Sequence, residues 1–299
     1  MTPFELIAAP HTPFDANGDL AGAVVAAQAA MLRTDGVHGV MVAGSTGEGA
    51  SLTSDERRRL AESWRAEAGT LRLWVHVGHQ SVREAAALAA HAQQVGADAI
   101  CAAPPSWFPL SSNERLVDCC AEIAAAAPGL PFFYYHIPVL SQVRLPMAPF
   151  AAAARSRIPN FAGIKYTHLD ALDFQACRRE HGDAVKLYWG CDELLVTGLA
   201  LGAHGAVGST YNFVAPVFHR LIAAWQQGQH ARAQELQSFA ALLVERLAAH
   251  GYMAAAKATM KYLGVDVGQV RAPLVALDAA GEAAVAAALD ALDLRGMRG

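Results

Sequence analysis

Charged residues are scarce in this chain: Asp, Glu, Lys and Arg make up 17% of the 299 residues, and 23 basic residues face 27 acidic ones for a formal net charge of -4. That balance leaves no basic patch to neutralise phosphates and excludes a nucleic-acid partner. The densest basic run, Arg57-Arg58-Arg59, stands among acids and reads as a solvated helix face. Cysteine is sparse as well. Cys101, Cys119, Cys120, Cys177 and Cys191 form no C-x-x-C pair and an odd set, so no disulfide framework is expected and a reducing, cytoplasmic setting is. The start, Met1-Thr2-Pro3-Phe4-Glu5, lacks the charged-then-apolar build of a secretion signal. Long apolar runs are missing too: Ala-rich stretches such as Ala85 to Gln94 are broken by His and Gln, which argues against a membrane span. No G-x-G-x-x-G follows the first strand candidate, and no H-E-x-x-H or H-x-x-x-H occurs, so neither a dinucleotide nor a catalytic metal is expected.

What remains is apolar and periodic, with 54% hydrophobic residues, enough for a large core without staples. Short β-branched or aromatic runs alternate with Ala-rich helical stretches. Strand candidates are Leu6 to Phe14, Val37 to Ala43, Leu71 to Val77, Ala99 to Ala103, Pro131 to Ile137, Phe161 to Tyr166, Lys186 to Trp189 and Ala206 to Val207. Helix starts are marked by Thr53-Ser54-Asp55-Glu56, an N-cap with first-turn acids ahead of a helix over 54–68, and by Ser81-Val82-Arg83-Glu84, a capping box. Parallel strands need helical crossovers, so this alternation predicts an α/β fold, a (β/α)8 TIM barrel. A doubly wound open sheet is the alternative. From Pro216 onward only helices follow (231–250, 252–263 and 272–294). The expected organisation is a barrel core over 1–215 with its last helix and a C-terminal helical extension over 216–299, in one domain.

Function in such a barrel collects at the C-terminal ends of the strands. Those ends carry Gly44-Ser45-Thr46-Gly47-Glu48, Tyr134-Tyr135-His136, Lys165, Asp192-Glu193 and Gly208-Ser209-Thr210. Lys165 closes the apolar run Phe161-Ala162-Gly163-Ile164 and would point into the interior. Burial disfavours an ammonium and leaves a nucleophilic amine fit for imine formation, unless the chain reaches out to solvent instead. Tyr135, on the preceding strand, would bring a phenol to relay protons. Tyr134 reads as core filler. The Gly44–Glu48 turn offers backbone N–H groups to a carboxylate, although an ordinary strand-to-helix turn has the same glycines. Asp192 and Glu193 are suited to a polyhydroxylated chain, and equally to a cation or a helix cap.

These residues, taken in order, resemble the signatures of the dihydrodipicolinate synthase and N-acetylneuraminate lyase superfamily of class I aldolases. The motifs are Gly44-Ser45-Thr46-Gly47-Glu48, Tyr135 with Ile137-Pro138, and Gly163-Ile164-Lys165, and the likeness runs from Thr12-Pro13-Phe14 to the last helices. Tyr134-Tyr135-His136-Ile137-Pro138, Gly190-Cys191-Asp192-Glu193 and Gly205 to Asn212 look like the sialic acid lyases of that superfamily. The resemblance implies reversible cleavage of N-acetylneuraminate to N-acetylmannosamine and pyruvate. Lys165 would carry the imine without any other cofactor, and Tyr135 would shuttle the proton. Ser45 and Thr46 would hold the pyruvyl carboxylate, and Thr167, Gly190, Asp192, Glu193 and Ser209 would line the polyol end. It also implies a homotetramer whose partners are sugar acid and pyruvate. Two other activities stay open, an aldolase for another 2-keto-3-deoxy sugar acid and a dihydrodipicolinate synthase-like enzyme, beside a non-catalytic keto-acid-binding homologue. The synthases carry an arginine where this chain has Leu140. Further departures are Pro104 to Pro109 in place of a loop with a tyrosine, Gln142 where glycine is usual, and His168-Leu169 after Thr167.

Overall fold

The computed structural model describes residues 4–108 and 110–299; Met1 to Pro3, where the N-terminal reading began, and Pro109 of the 104–109 loop lie outside the described residues. Eight strands, β1 (Glu5–Ala8), β2 (Gly39–Val42), β3 (Arg72–His76), β4 (Ala99–Ala102), β5 (Phe132–His136), β6 (Phe161–Tyr166), β7 (Lys186–Trp189) and β8 (Gly205–Gly208), close into one parallel barrel in sequence order. Helices surround it: α1 (Val25–Thr34), α2 (Ser54–Glu67), α3 (Val82–Gln94), α4 (Asn113–Ala125), the short α5 (Pro138–Ser141), α6 (Met147–Arg157), α7 (Ala171–His181), α8 (Leu195–Ala200) and α9 (Tyr211–Gln226). Then come α10 (His230–Ala248), α11 (Tyr252–Tyr262), α12 (Ala279–Ala291) and α13 (Leu294–Arg298). The fold is the (β/α)8 barrel with C-terminal helices that the alternation predicts. Among the described residues no helix is long and apolar enough to cross a membrane.

Strands covered on both faces need apolar residues at consecutive positions, and β2, β4 and β8 are buried along their whole length. Outward side chains such as Val40, Ile100 and Tyr134 pack against the helices, whereas Ile7, Met41, Trp74, Cys101, Phe133, Tyr135, Tyr188 and Val207 fill the barrel interior. Inside, Trp74 stacks on Phe133 with ring centroids 4.1 Å apart, and Tyr188 meets Trp74 edge-on at 5.0 Å. Below this aromatic layer Glu5 closes the N-terminal end, taking a 2.6 Å hydrogen bond from the Tyr188 hydroxyl and pairing with Arg72 at 2.6 Å. The barrel is therefore solid beneath its C-terminal mouth.

Three local expectations change. β1 ends at Ala8 rather than Phe14, because Pro10 has no N–H to give a ladder; Phe14 instead makes an isolated antiparallel bridge with Leu20. The reciprocal capping box belongs to Thr53 and Glu56 (2.9 and 3.1 Å). At the predicted box Ser81 does accept from the Glu84 amide, but the Glu84 carboxylate takes the Ser54 hydroxyl at 2.9 Å instead of returning. The helix predicted over 272–294 is split. Asp278 caps α12 by accepting from the Gly281 amide, and Asp293, at φ +47°, breaks the helix and caps α13.

His11 and His136 are buried around the barrel and His76 is partly so, and desolvation pulls all three down to about 3. The Lys257 charge adds to this at His11, Arg57 and Lys165 at His76, and His168 at His136. Each is neutral when folded and binds a proton near pH 6.5 when unfolded, so its contribution is complete above that pH and is lost as pH falls from 6.5 toward 3. At pH 5 each histidine costs about 2 kcal/mol of stability. Carboxylates whose pKa is raised by desolvation, such as the half-buried Asp173, act in the opposite direction at lower pH. A thermal melt is expected to move down steeply between pH 7 and pH 5 in constant ionic strength; a flat profile over that range would contradict neutral burial of these rings.

Candidate active site

The mouth of the barrel holds a cavity of about 680 Å³ whose walls include Ser45, Thr46, Tyr135, Lys165, Thr167, Gly190, Asp192, Glu193 and Ser209. Every residue the sequence nominates thus reaches one space. Lys165, the fifth residue of β6, is 3% exposed and lies directly opposite Tyr135 of β5 in the ladder. Matching register on adjacent parallel strands, with both side chains inward, places Lys165 Nζ 3.9 Å from the centre of the Tyr135 ring. Nζ meets an aromatic face, and among the described residues no carboxylate pairs with it.

The turn after β2 forms the second part. Ala43 and Glu48 both take left-handed backbone (φ +56° and +52°), and this folds Gly44 to Gly47 into a tight loop. Among the described residues the amides of Ser45, Thr46 and Gly47 have no protein acceptor, an arrangement suited to a carboxylate. Gly49 is obligatory here, because a Cβ would collide with the Ala43 carbonyl. Glu48, 4% exposed, turns away from the anion site and pairs with Lys257 of α11 at 2.7 Å, accepting also from the Arg271 amide at 2.8 Å.

The third part is the carboxylate wall. Asp192 opens the turn Asp192–Leu194 after β7, and its Oδ2 accepts from the Thr210 amide (2.8 Å) and hydroxyl (2.7 Å). Desolvation raises its pKa against those bonds and the nearby Lys165 charge; burial followed by the Asp192 charge raises Glu193. The Thr167 hydroxyl is buried without a partner among the described residues, and Gly190 lies so close that any Cβ would strike it. Cys191 follows β7 beside this wall but packs into the outer core, and burial pushes its thiol up to about 12, so it offers no thiolate.

Several participants carried no signal in the sequence. Tyr252 opens α11 and shares a 2.6 Å hydrogen bond with Ser209; with Val244, Met253, Pro273 and Leu274 it completes the outer wall. A lone tyrosine after a glycine has no pattern to announce it. Lys257, 2% exposed inside an Ala-rich helix, was detectable only as a cation on an apolar face. Leu140, where the resemblance places an arginine in the synthases, lines the cavity. Gln142 occupies the left-handed position that ends α5 (φ +59°), the conformation for which glycine is usual, and its amide donates to Pro138 O. His76 bridges strands, taking the Ala103 amide on Nε2 and facing Ala43 O from Nδ1, and no cluster of three or more His, Cys, Asp or Glu able to hold a metal occurs among the described residues.

An inward amine over a phenol ring, beside a turn whose amides meet no protein acceptor among the described residues, is an arrangement suited to carbonyl chemistry on a small organic acid. The profile of the Dihydrodipicolinate synthetase family matches residues 3–292, and the chain belongs to that family. N-acetylneuraminate lyase of Rattus norvegicus is 36% identical over 275 residues, spanning 90% of this chain and 86% of that protein. Among solved structures, Proteus mirabilis N-acetylneuraminate lyase superposes with a TM-score of 0.95 at 37% identity, covering 98% of this chain and 100% of that one. The lyase (sialic acid aldolase) of Aliivibrio salmonicida gives 0.95 at 36% identity, covering 98% of each chain.

Gly208 shows how closely the wall is fitted, since a Cβ there would fall on the Asp192 carboxylate. Gly208→Ala is expected to push Asp192 off Thr210 and lower unfolding free energy by about 1–3 kcal/mol, as overpacking does. Denaturant titration beside the wild type measures it, and an unchanged midpoint would mean that the carboxylate is free to move.

Proposed function

We propose that this protein is a Schiff-base class I aldolase, a carbon-carbon lyase that cleaves N-acetylneuraminate reversibly to N-acetylmannosamine and pyruvate. The observation that carries the reading is Lys165 Nζ lying over the Tyr135 ring, with no counter-ion among the described residues, inside a cavity that also offers the amides of the Gly44–Glu48 turn and the carboxylates of Asp192 and Glu193. The similarity to N-acetylneuraminate lyases over nearly the whole chain supports the substrate. Leu140 supports it too, since the guanidinium expected of a dihydrodipicolinate synthase is replaced by an alkyl chain.

The roles follow from position. The amides around Ser45 and Thr46 and their hydroxyls hold the C1 carboxylate of the open-chain sugar acid. Lys165 attacks the C2 ketone and loses water to form an iminium ion. Tyr135, having given its phenolic proton to the departing water, takes the proton of the C4 hydroxyl as the C3–C4 bond breaks, and the bonding pair flows into the iminium to give an enamine. Protonation of the enamine and hydrolysis release pyruvate and restore the amine. Thr167, Gly190, Asp192, Glu193 and Ser209 bind the hydroxylated remainder. The imine on Lys165 supplies the electron sink, so no further cofactor enters. We read residues 1–215 and 216–299 as one domain, and the working form as a cytoplasmic homotetramer.

The test is pyruvate release from N-acetylneuraminate. Lys165→Ala should reduce it to background, and Tyr135→Phe should lower kcat by about 10²–10⁴-fold, the usual worth of a positioned proton donor. Wild-type protein that releases no pyruvate would overturn the substrate; full activity in Lys165→Ala would overturn the mechanism.

A further inference from the structure

α10 buries one apolar stripe made of Ala233, Leu236, Ala240, Leu243 and Leu247, and in the middle of that stripe stands Gln237, only 4% exposed. A buried amide on an apolar face must find partners, and Gln237 finds both of them in the turn that carries the carboxylate wall. Its Nε2 donates to Asp192 O at 3.2 Å, and its Oε1 accepts from the Val196 amide at 2.9 Å.

Those partners are the two ends of one short piece of backbone. Asp192 O also accepts from the Leu195 amide, which closes the turn Asp192–Leu194, so the glutamine fills the second lone pair of that carbonyl. Val196 is the second residue of α8, a helix with no capping side chain of its own. Helix starts leave amides without intrahelical acceptors, and here the acceptor arrives from another helix, 41 residues further along the chain. Gln237 thus caps α8 from outside and fixes the peptide plane of Asp192 with the same side chain. From there the Asp192 carboxylate lies against Gly208 and Thr210, and Glu193 follows as the next residue.

We propose that Gln237 is a positioning residue for the polyol end of the substrate, holding the Asp192-Glu193 turn in its binding geometry from the C-terminal extension without touching substrate itself. This rests on the lyase reading above. It assigns the extension a part in recognition: α11 supplies Tyr252 and Met253 to the wall directly, while α10 acts through backbone. The anion turn and Lys165 receive no bond from Gln237, so the pyruvyl half should not feel its loss.

The experiment compares wild type, Gln237→Met and Gln237→Glu in N-acetylneuraminate cleavage and in borohydride trapping of pyruvate alone. Methionine keeps the volume and removes both bonds; glutamate keeps the acceptor for Val196 and guards against a methionine variant that fails to fold. KM for N-acetylneuraminate should rise about ten-fold in Gln237→Met, the size of one or two lost hydrogen bonds, with kcat within about three-fold. Half-saturation by pyruvate in the trapping assay should not move, and Gln237→Glu should fall between wild type and Gln237→Met. Unchanged KM in folded variants, or KM and pyruvate half-saturation rising together, overturns the inference and leaves Gln237 as a structural tie. Wild type that traps pyruvate but cleaves no N-acetylneuraminate overturns the lyase reading instead, and this inference with it.

Discussion

An amine that must be inside a barrel, yet cannot be given a carboxylate, is the constraint around which this mouth is arranged. Lys165 lies in register with Tyr135, and the phenol ring takes up the face of the amine at 3.9 Å. A carboxylate in that place would hold Nζ in an ion pair and draw it away from an incoming carbonyl. The ring satisfies the cation weakly and leaves a hydroxyl within the same cavity. The floor of Trp74, Phe133 and Tyr188 beneath keeps both side chains at the level of the loops.

Lys257 is held in the opposite way. Both lysines are almost fully buried, but Lys257 pairs with Glu48 at 2.7 Å and donates to the carbonyls of Thr12 and Gln269 at 2.9 Å. Burial draws its pKa below that of an ordinary lysine and Glu48 opposes the fall. All three donors are used, so Lys257 is a bolt and not a nucleophile. The bolt fastens the left-handed turn at Glu48 to α11, and Arg271, paired with Glu56, fastens the segment after α11 to α2. Breaking a buried pair of this kind typically costs about 3–5 kcal/mol, because the remaining charge is stranded. The C-terminal helices are tied by buried polar contacts to both sides of the cavity: the anion turn through Lys257, and the carboxylate wall through Gln237 and Tyr252.

The fold was legible because its signals are local. Parallel strands buried on both faces read as short apolar runs, and the capping residues Thr53 and Ser81 sit where helices must start. Lys165 and Tyr135 were legible because a strand-end lysine and phenol on consecutive barrel strands have few other ways to lie. Legibility stopped where chemistry depends on partners distant in sequence. Nothing around Gln237 marks it as different from any helical glutamine, and only the fold brings it to Asp192, 45 residues earlier. Asp192 stays open in the sequence between a polyol ligand, a cation and a helix cap, whereas in the structure Thr210 holds one of its oxygens. The helix expected over 272–294 failed for a related reason: Asp278 and Asp293 serve as caps, and competition between cap and helix interior is not decided by composition.

On this mechanism Lys165, and no other group, forms the covalent bond to the keto acid. The most direct measurement is borohydride reduction in the presence of pyruvate, followed by proteolysis and mass spectrometry of every lysine-bearing peptide. A reduced pyruvate adduct is expected only on the peptide that contains Lys165. An adduct on Lys257 or Lys261 instead, or no adduct at saturating pyruvate, would contradict it.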